Sequence, residues 1–513
     1  MEKVRQNKGL ILLLLILLLG AFLRLYRISE YMTFLGDEGR DVLVVKRMIV
    51  DHKFTLLGPT ASVGGFFLGP IYYYMMVPFL WAWKLDPTGP AVMVALFGVA
   101  TIYLVWRAGR DWFSERTGLI AAALYAVSPV VIAYSRASWN PNVVPFFSLA
   151  LMYVLWKAAH EKRWNYLFWA GVICGIGLQL HYLFLFLMVF TLVWVLCFGR
   201  SVKNLKAYGL GVLGFIVGYG PFLLFELRHG FPNTITIFRF ITEGKDVASA
   251  TGSFLKIMTE IPFRLYGRLV FRLPQPEVWM DLPQTTALAW TWGIRAAIVG
   301  SLGVLVAKTV SFGKSALKSE RLGAILLILW FAVVLVLFGF YRKAIYDYYF
   351  GIMFTLPFLA FGVLMDAFAK KRVGAFIASL AVGGLLFLNL DGHPFKIAPN
   401  RQYQQARAIA QGAFEKAEGK PYNFALLTEN NSDHVYRFFF EIWGQAPVTI
   451  EPPQVDPERK TVTDQLIVIC EQVPCFPVGH PLWEIAGFGQ AEIVGQWDVP
   501  FVKIYKLTHY EEP

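Results

Sequence analysis

Charge is what this sequence has least of. Asp, Glu, Lys and Arg make up only 16% of its 513 residues, too small a share to solvate a soluble protein of that length or to keep a segment disordered. A coiled coil with charged flanks is excluded on the same ground. Cysteine is scarce too, and four residues cannot build a disulfide framework. Cys174 and Cys197 sit in apolar stretches and read as packing thiols, whereas Cys470 and Cys475 lie in a polar region, where an extracytoplasmic compartment would let them close a small loop. No internal repeat is visible, which weighs against an inverted-repeat transporter. Acidic residues are outnumbered 35 to 47, for a net charge of +12. That excess does not point to nucleic acid, because most of the basic residues occupy short loops between apolar segments, where they set orientation.

Apolar residues, in contrast, supply 56% of the chain. The stretch from Gly9 to Leu25 contains Ile11 to Leu19 without one polar side chain, enough to cross most of a hydrocarbon core about 30 Å thick. Lys3, Arg5 and Lys8 precede it, but Phe22, Arg24 and Tyr26 follow in place of a small-residue cleavage motif, so it reads as a retained span. Further apolar segments lie near 69–84, 90–106, 117–134, 141–156, 165–181, 182–198, 207–227, 287–307, 322–340, 346–367 and 373–390. Basic clusters at 107–116, 157–163, 200–206, 308–321 and 370–372 mark the cytoplasmic side. They predict a multi-pass cell-membrane protein with a cytoplasmic N-terminus and an external C-terminus, and therefore an odd total, roughly 11 to 13 spans.

The expected fold is mainly α: a polytopic membrane domain over residues 1–390, with external loops 26–69 and 228–286, followed by a small extracytoplasmic α/β domain over 391–513. The loop 228–286 carries Arg239, Lys245, Asp246 and Glu260, too polar to span and long enough for short helices on the membrane surface. Past Asp391 the chain turns polar, with Pro452-Pro453 and strand-like runs at Gln465–Cys470 and Phe501–Leu507.

Five polar clusters map to the external side. The first is Asp37-Glu38, with Asp41 close behind and an amphipathic stretch following. Such carboxyls against apolar walls can accept a proton or hold a divalent cation, while the plainer reading is an acidic helix N-terminus. The second is Arg136 with Asn140 and Asn142: a phosphate-binding guanidinium with amide donors, or an interfacial arginine beside an Asn-Pro helix start. Gln179 and His181 interrupt a long apolar run, where polar groups are costly. Arg342, Lys343, Asp347 and Tyr348 form a basic, aromatic turn suited to an anionic headgroup, or an aromatic belt. Glu226 with Arg228 and His229 closes a segment as an ion pair or more.

In order along the chain, Asp37-Glu38, Gly69-Pro70-Ile71-Tyr72-Tyr73-Tyr74, Ser128-Pro129 with Tyr134-Ser135-Arg136, and the Arg342–Tyr349 turn resemble the GT-C membrane glycosyltransferases. The resemblance is to glycosyltransferase family 39, which holds protein O-mannosyltransferases and lipid A aminoarabinose transferases. It covers about residues 9–390. It implies transfer of a sugar from a polyprenyl-phosphate carrier to a lipid, glycan or protein acceptor at the outer face, usually with inversion. By it, Asp37 would be the base and Glu38 its partner. Arg342, Arg136, His181 and Tyr348 would hold the donor phosphate, and Asp41, Asn140 and Glu226 would serve the acceptor or a secondary role. No metal ligand set is assigned, and a divalent cation is the one cofactor the carboxylates would admit. The loop Ala61–Phe67 lacks the His-Pro-Pro that many members carry, leaving open the acceptor and any metal ligand from that loop. A lipid-linked-sugar flippase or secondary transporter, and a non-catalytic assembly protein, are the competing classes.

Overall fold

The computed structural model describes residues 2–61, 64–201, 205–243, 254–274, 282–310, 318–341, 344–429, 431–472 and 474–510. Arg342, Lys343, Lys245 and Asp246 fall outside the described residues. The chain divides into two compact units, one of residues 1–26, 55–75 and 92–398, the other of residues 27–54, 76–91 and 399–513. The division departs from the expected boundary at 390/391, because 27–54 and 76–91 join the C-terminal part.

The helices, in chain order, are α1 (Glu2–Leu25), α2 (Ile28–Tyr31), α3 (Gly36–Val50), α4 (Ile71–Ala82), α5 (Thr88–Trp112), α6 (Glu115–Val127), α7 (Pro129–Tyr134), α8 (Val144–His160), α9 (Leu167–Leu180), α10 (Phe184–Trp194), α11 (Leu205–His229), α12 (Pro232–Glu243) and α13 (Phe254–Leu269). Then come α14 (Gln284–Val310), α15 (Lys318–Gly339), α16 (Leu356–Phe368), α17 (Arg372–Asp391), α18 (Gln402–Lys416), α19 (His434–Ile442) and α20 (Trp483–Ala486). Among the described residues, 7 stretches are helical, long and apolar enough to cross a membrane: Lys8–Leu25, α5, Asn140–Glu161, α11, α14, α15 and α17. The 3-10 turn Asp347–Met353 and α16 would make an eighth span, bent by 57°. Shorter apolar helices lie at Ile71–Ala82, Trp164–Leu180 and Phe184–Gly199. The segment expected to run unbroken over 117–134 is split, because Ser128 before Pro129 takes an extended conformation and ends α6.

In the helical unit α9 and α11 pack backbone to backbone. A Cβ at Gly171 would meet the Gly211 carbonyl oxygen at 2.0 Å, and one at Gly218 would meet that of Val172 at 2.2 Å. Small residues at this spacing let helices approach where no water-driven force holds them together. Polar loop 228–286 supplies α12 and α13, as its composition suggested. Cys174 is buried as expected, but Cys197 is exposed, not packed.

The second unit holds a four-stranded sheet in the order β1-β2-β4-β3, from β1 (Asn423–Leu427), β2 (Gln465–Cys470), β3 (Ala491–Val499) and β4 (Val502–His509). β1 and β2 are parallel and buried along their whole length, and the other pairs are antiparallel. The apolar run Gln465–Cys470 is thus a strand as expected, and that at Phe501–Leu507 begins one residue later. The β1–β2 crossover carries α19, and parallel neighbours require such a connection. Cys470 at the end of β2 is bonded to Cys475. In the β3–β4 hairpin Val499 pairs with Val502, leaving Pro500 and Phe501 as the turn.

Candidate active site

The acidic motif forms the first turn of α3, where carboxylates complement the positive end of the helix. Glu38 Oε2 accepts the Leu35 N–H at 3.1 Å, the reach-back half of a capping box. Gly36 and Gly39 are demanded by packing within this unit: a Cβ on Gly36 would lie 2.6 Å from Ser432 Cβ, and one on Gly39 2.6 Å from the Val435 backbone. The N-terminal turn of α3 therefore presses on that of α19. Val42, Val45 and Met48 are buried along the same helix, and Lys46 donates to Glu441 at 3.3 Å. The amphipathic stretch that follows the acidic motif is thus packed on α19.

The three carboxyls occupy different settings. Asp37 is 54% exposed and accepts Arg40 Nη1 at 2.9 Å. Asp41 is fully buried, and its Oδ1 accepts Arg40 Nε at 2.9 Å and Nη2 at 2.8 Å. Glu38 is 7% exposed. Burial pushes its carboxyl up to about 7; the backbone N–H groups of Glu38 and Leu35 oppose the rise, and the negative charges of Asp41 and Asp37 add to it. Two adjacent carboxyls, one exposed and one held near neutrality, are an arrangement for proton transfer. Among the described residues no group of three or more His, Cys, Asp or Glu could hold a metal ion. Asp37 and Asp41 turn to Arg40 and Glu38 to Leu35, so the divalent-cation reading finds no assembled ligands there.

In the helical unit the structure brings His181 and Tyr348 together. His181 ends α9 in an extended conformation, accepts the Leu183 N–H on Nδ1 at 3.2 Å, and stacks on Tyr182 at 4.7 Å between centroids. Tyr349 and Tyr348 lie edge-on to its ring at 5.3 and 5.9 Å, and Trp139 packs on Tyr348 at 4.6 Å. Asp347, the neighbour of Tyr348, accepts Arg264 Nη2 at 2.5 Å and Arg268 Nη1 at 2.7 Å. These two arginines were missed in the sequence. The signal was the spacing of four from Glu260 through Arg264 and Arg268, which puts them on one face of α13.

Three expected site residues have other work. Arg136 is buried, and its guanidinium donates to the carbonyls of Leu23 at 2.9 Å, Arg24 at 3.1 Å and Tyr26 at 2.9 Å. A helix end leaves carbonyls without intrahelical partners, and Arg136 satisfies those of α1, a structural role beside the donor-phosphate one expected for it. Asn140 Nδ2 donates to the Leu180 carbonyl at 2.6 Å and so holds the end of α9. Glu226 accepts from the backbone N–H and side chain of both Asn233 and Thr234, at 2.7 to 3.2 Å, and caps the start of α12. Neither points to an acceptor role.

Residues 86–225 match the family model described as "Dolichyl-phosphate-mannose-protein mannosyltransferase". That stretch includes His181, Asn140 and Arg136 but stops short of Tyr348 and begins after Asp37. Over 209 residues the chain is 24% identical to the mannosyltransferase-like protein YkcB of Bacillus subtilis (strain 168), a match covering 40% of this chain and 28% of that relative's length. Among solved structures, ArnT from Cupriavidus metallidurans in the apo state superposes with a TM-score of 0.62 at 13% identity, over 98% of both chains. The same protein bound to undecaprenyl phosphate gives 0.53 at 14% identity, over 97% of both. Oligosaccharyltransferase AglB from Archaeoglobus fulgidus, in complex with an inhibitory peptide and a dolichol-phosphate, gives 0.51 at 12% identity, over 90% of this chain and 69% of that one. At such identities the structural likeness is one of fold. The resemblance carried by the sequence motifs is borne out by these matches.

Proposed function

We propose that the protein is a membrane glycosyltransferase that moves a sugar from a polyprenyl-phosphate carrier to an acceptor hydroxyl at the outer face of the cell membrane, with inversion. The observation that carries this reading is the pair of unlike carboxyls in the first turn of α3, exposed Asp37 beside buried Glu38. Asp37 takes the hydroxyl proton as the acceptor oxygen bonds to the anomeric carbon. The carbon–oxygen bond to phosphate breaks on the opposite side and the polyprenyl phosphate leaves with the electron pair. Glu38, largely protonated below neutrality, tunes its neighbour's charge.

The leaving phosphate needs cations. Arg264 and Arg268 converge on Asp347, Arg264 also facing Glu260 at 3.8 Å, and these guanidiniums, next in the chain to the aromatic cluster of His181 and Tyr348 through Asp347, are the donors offered to the phosphate. A match to a dolichyl-phosphate-mannose mannosyltransferase family, and a fold shared with a protein solved with undecaprenyl phosphate, support a lipid-phosphate donor. The basic clusters put the N-terminus in the cytoplasm and give roughly 11 or 13 spans. The Cys470–Cys475 bond suits an extracytoplasmic C-terminal domain.

Proteoliposomes given a radiolabelled polyprenyl-phosphate sugar test the reading. Label should appear on an added acceptor. Label that crosses the bilayer still attached to its carrier, with none transferred, would make the protein a flippase. A cysteine placed at exposed Glu458 should react with a membrane-impermeant maleimide from outside intact cells, and protection there would reverse the topology.

A further inference from the structure

The second unit contains a cavity of about 560 Å³, lined by Phe34 and Leu35 just before α3 and by residues of the C-terminal part, within the range of roughly 300–1,000 Å³ usual for small-molecule sites. Its lining is unusual in kind. Gln405 and Gln472 present carboxamides, Glu429 and Glu471 present carboxylates, Asn431 is bonded at both ends of its amide to Glu471 and the Ser432 N–H, and among the described lining residues there is no lysine or arginine. An anionic ligand is therefore disfavoured. A cation is a poorer fit than the two carboxylates suggest, because Glu471 already accepts the Tyr436 hydroxyl at 2.5 Å and the Asn431 amide at 2.9 Å on one oxygen. What the lining offers is paired donors and acceptors on planar groups, which hydroxyls of a sugar ring can satisfy in both directions.

Phe501 supplies the second observation. It lines this cavity yet is 79% exposed, and it sits in the hairpin turn after Pro500 with φ of 74°. Proline followed by a positive-φ residue is the pattern of a type II turn, whose second central position favours glycine. A phenylalanine there is strained and wastes an apolar face on water. Strained positions cluster at ligand clamps, and the C–H faces of a sugar ring pack on an exposed aromatic plane of this kind.

We infer that this cavity binds a neutral carbohydrate, the acceptor chain or its terminal unit, with Phe501 as the stacking platform and Gln405 and Glu471 as hydrogen-bonding partners. The inference rests on the transferase reading only for the word acceptor. The test uses the full chain in nanodiscs of zwitterionic phospholipid. Binding of neutral trisaccharides of mannose, glucose and galactose is followed by saturation-transfer NMR, with tri-lysine and inorganic phosphate as comparators. At least one trisaccharide should bind, and Phe501→Gly should weaken it about tenfold while leaving the melting temperature equal or higher, since glycine relieves the turn. Gln405→Ala should also weaken binding, without the thermal gain. No trisaccharide binding, binding untouched by both variants, or binding of tri-lysine in its place would overturn the inference. Donor turnover separates the two claims. Donor consumed while trisaccharide binding ignores Phe501→Gly removes the cavity proposal alone, and trisaccharide bound through Phe501 with no donor binding removes the transferase reading alone.

Discussion

The first turn of α3 and the neighbourhood of Asp347 set charge in opposite ways. In α3, Asp37 and Asp41 both bind the guanidinium of Arg40, while buried Glu38 faces their negative charge. On α13, Arg264 and Arg268 converge on the carboxylate of Asp347, and Arg264 also faces Glu260 at 3.8 Å. Burial beside like charges raises the proton affinity of Glu38, whereas paired guanidiniums present donors in fixed geometry to an anion. Arg136 shows that a buried arginine alone carries no such meaning. Its donors meet backbone carbonyls, so its charge is dispersed over helix-end dipoles and its role is to hold α1.

Asp37→Asn should break the comparison most severely. It preserves shape but cannot take a proton, so transfer should fall by roughly 10² to 10⁴ while donor binding and the fold survive. Turnover close to wild type would take the base away from Asp37.

Glu38→Gln sharpens the same side. A carboxyl held at about 7 when folded, against 4.5 otherwise, makes the folded state bind more protons than the unfolded state across that interval. Stability therefore declines as pH rises from about 4.5 to about 7, by on the order of 3 kcal/mol. The glutamine variant should lose that slope and gain melting temperature at pH 8. A pH-independent wild type would contradict the buried setting of Glu38.

The smallest effect separates the arginines. Arg268→Ala should weaken donor binding by about 1.5–3 kcal/mol, the worth of a charge-assisted hydrogen bond. Arg136→Ala should lower thermal stability and leave donor affinity of the folded protein unchanged. Equal losses of donor affinity would restore Arg136 to the phosphate site.

Much of the architecture was legible. Long apolar runs became the long helices of the first unit, and Gln465–Cys470, apolar and flanked by polar residues, became one of the two inner strands of the second. The acidic motif was legible as chemistry but not as structure: the partners of α3 lie in α19, and neither stretch names the other. The structural role of Arg136 was not legible, because a sequence shows a guanidinium and not the carbonyls it faces. Arg264 and Arg268 repeat at a four-residue period on α13, but that period does not show the Asp347 they meet, 83 positions beyond Arg264.

The docking of α3 on α19 also sets a schedule. Lys46 and Glu441, which meet across this packing, are 395 positions apart. At a synthesis rate of about 5–20 residues per second, roughly 20 to 80 s pass between emergence of the first helix and of its partner. Throughout that interval Val42, Val45 and Met48 have no α19 to cover them, and the paired carboxyls lack the enclosure that sets Glu38 apart from Asp37. A chain interrupted before α19 would thus carry its acidic motif without the enclosure that raises Glu38.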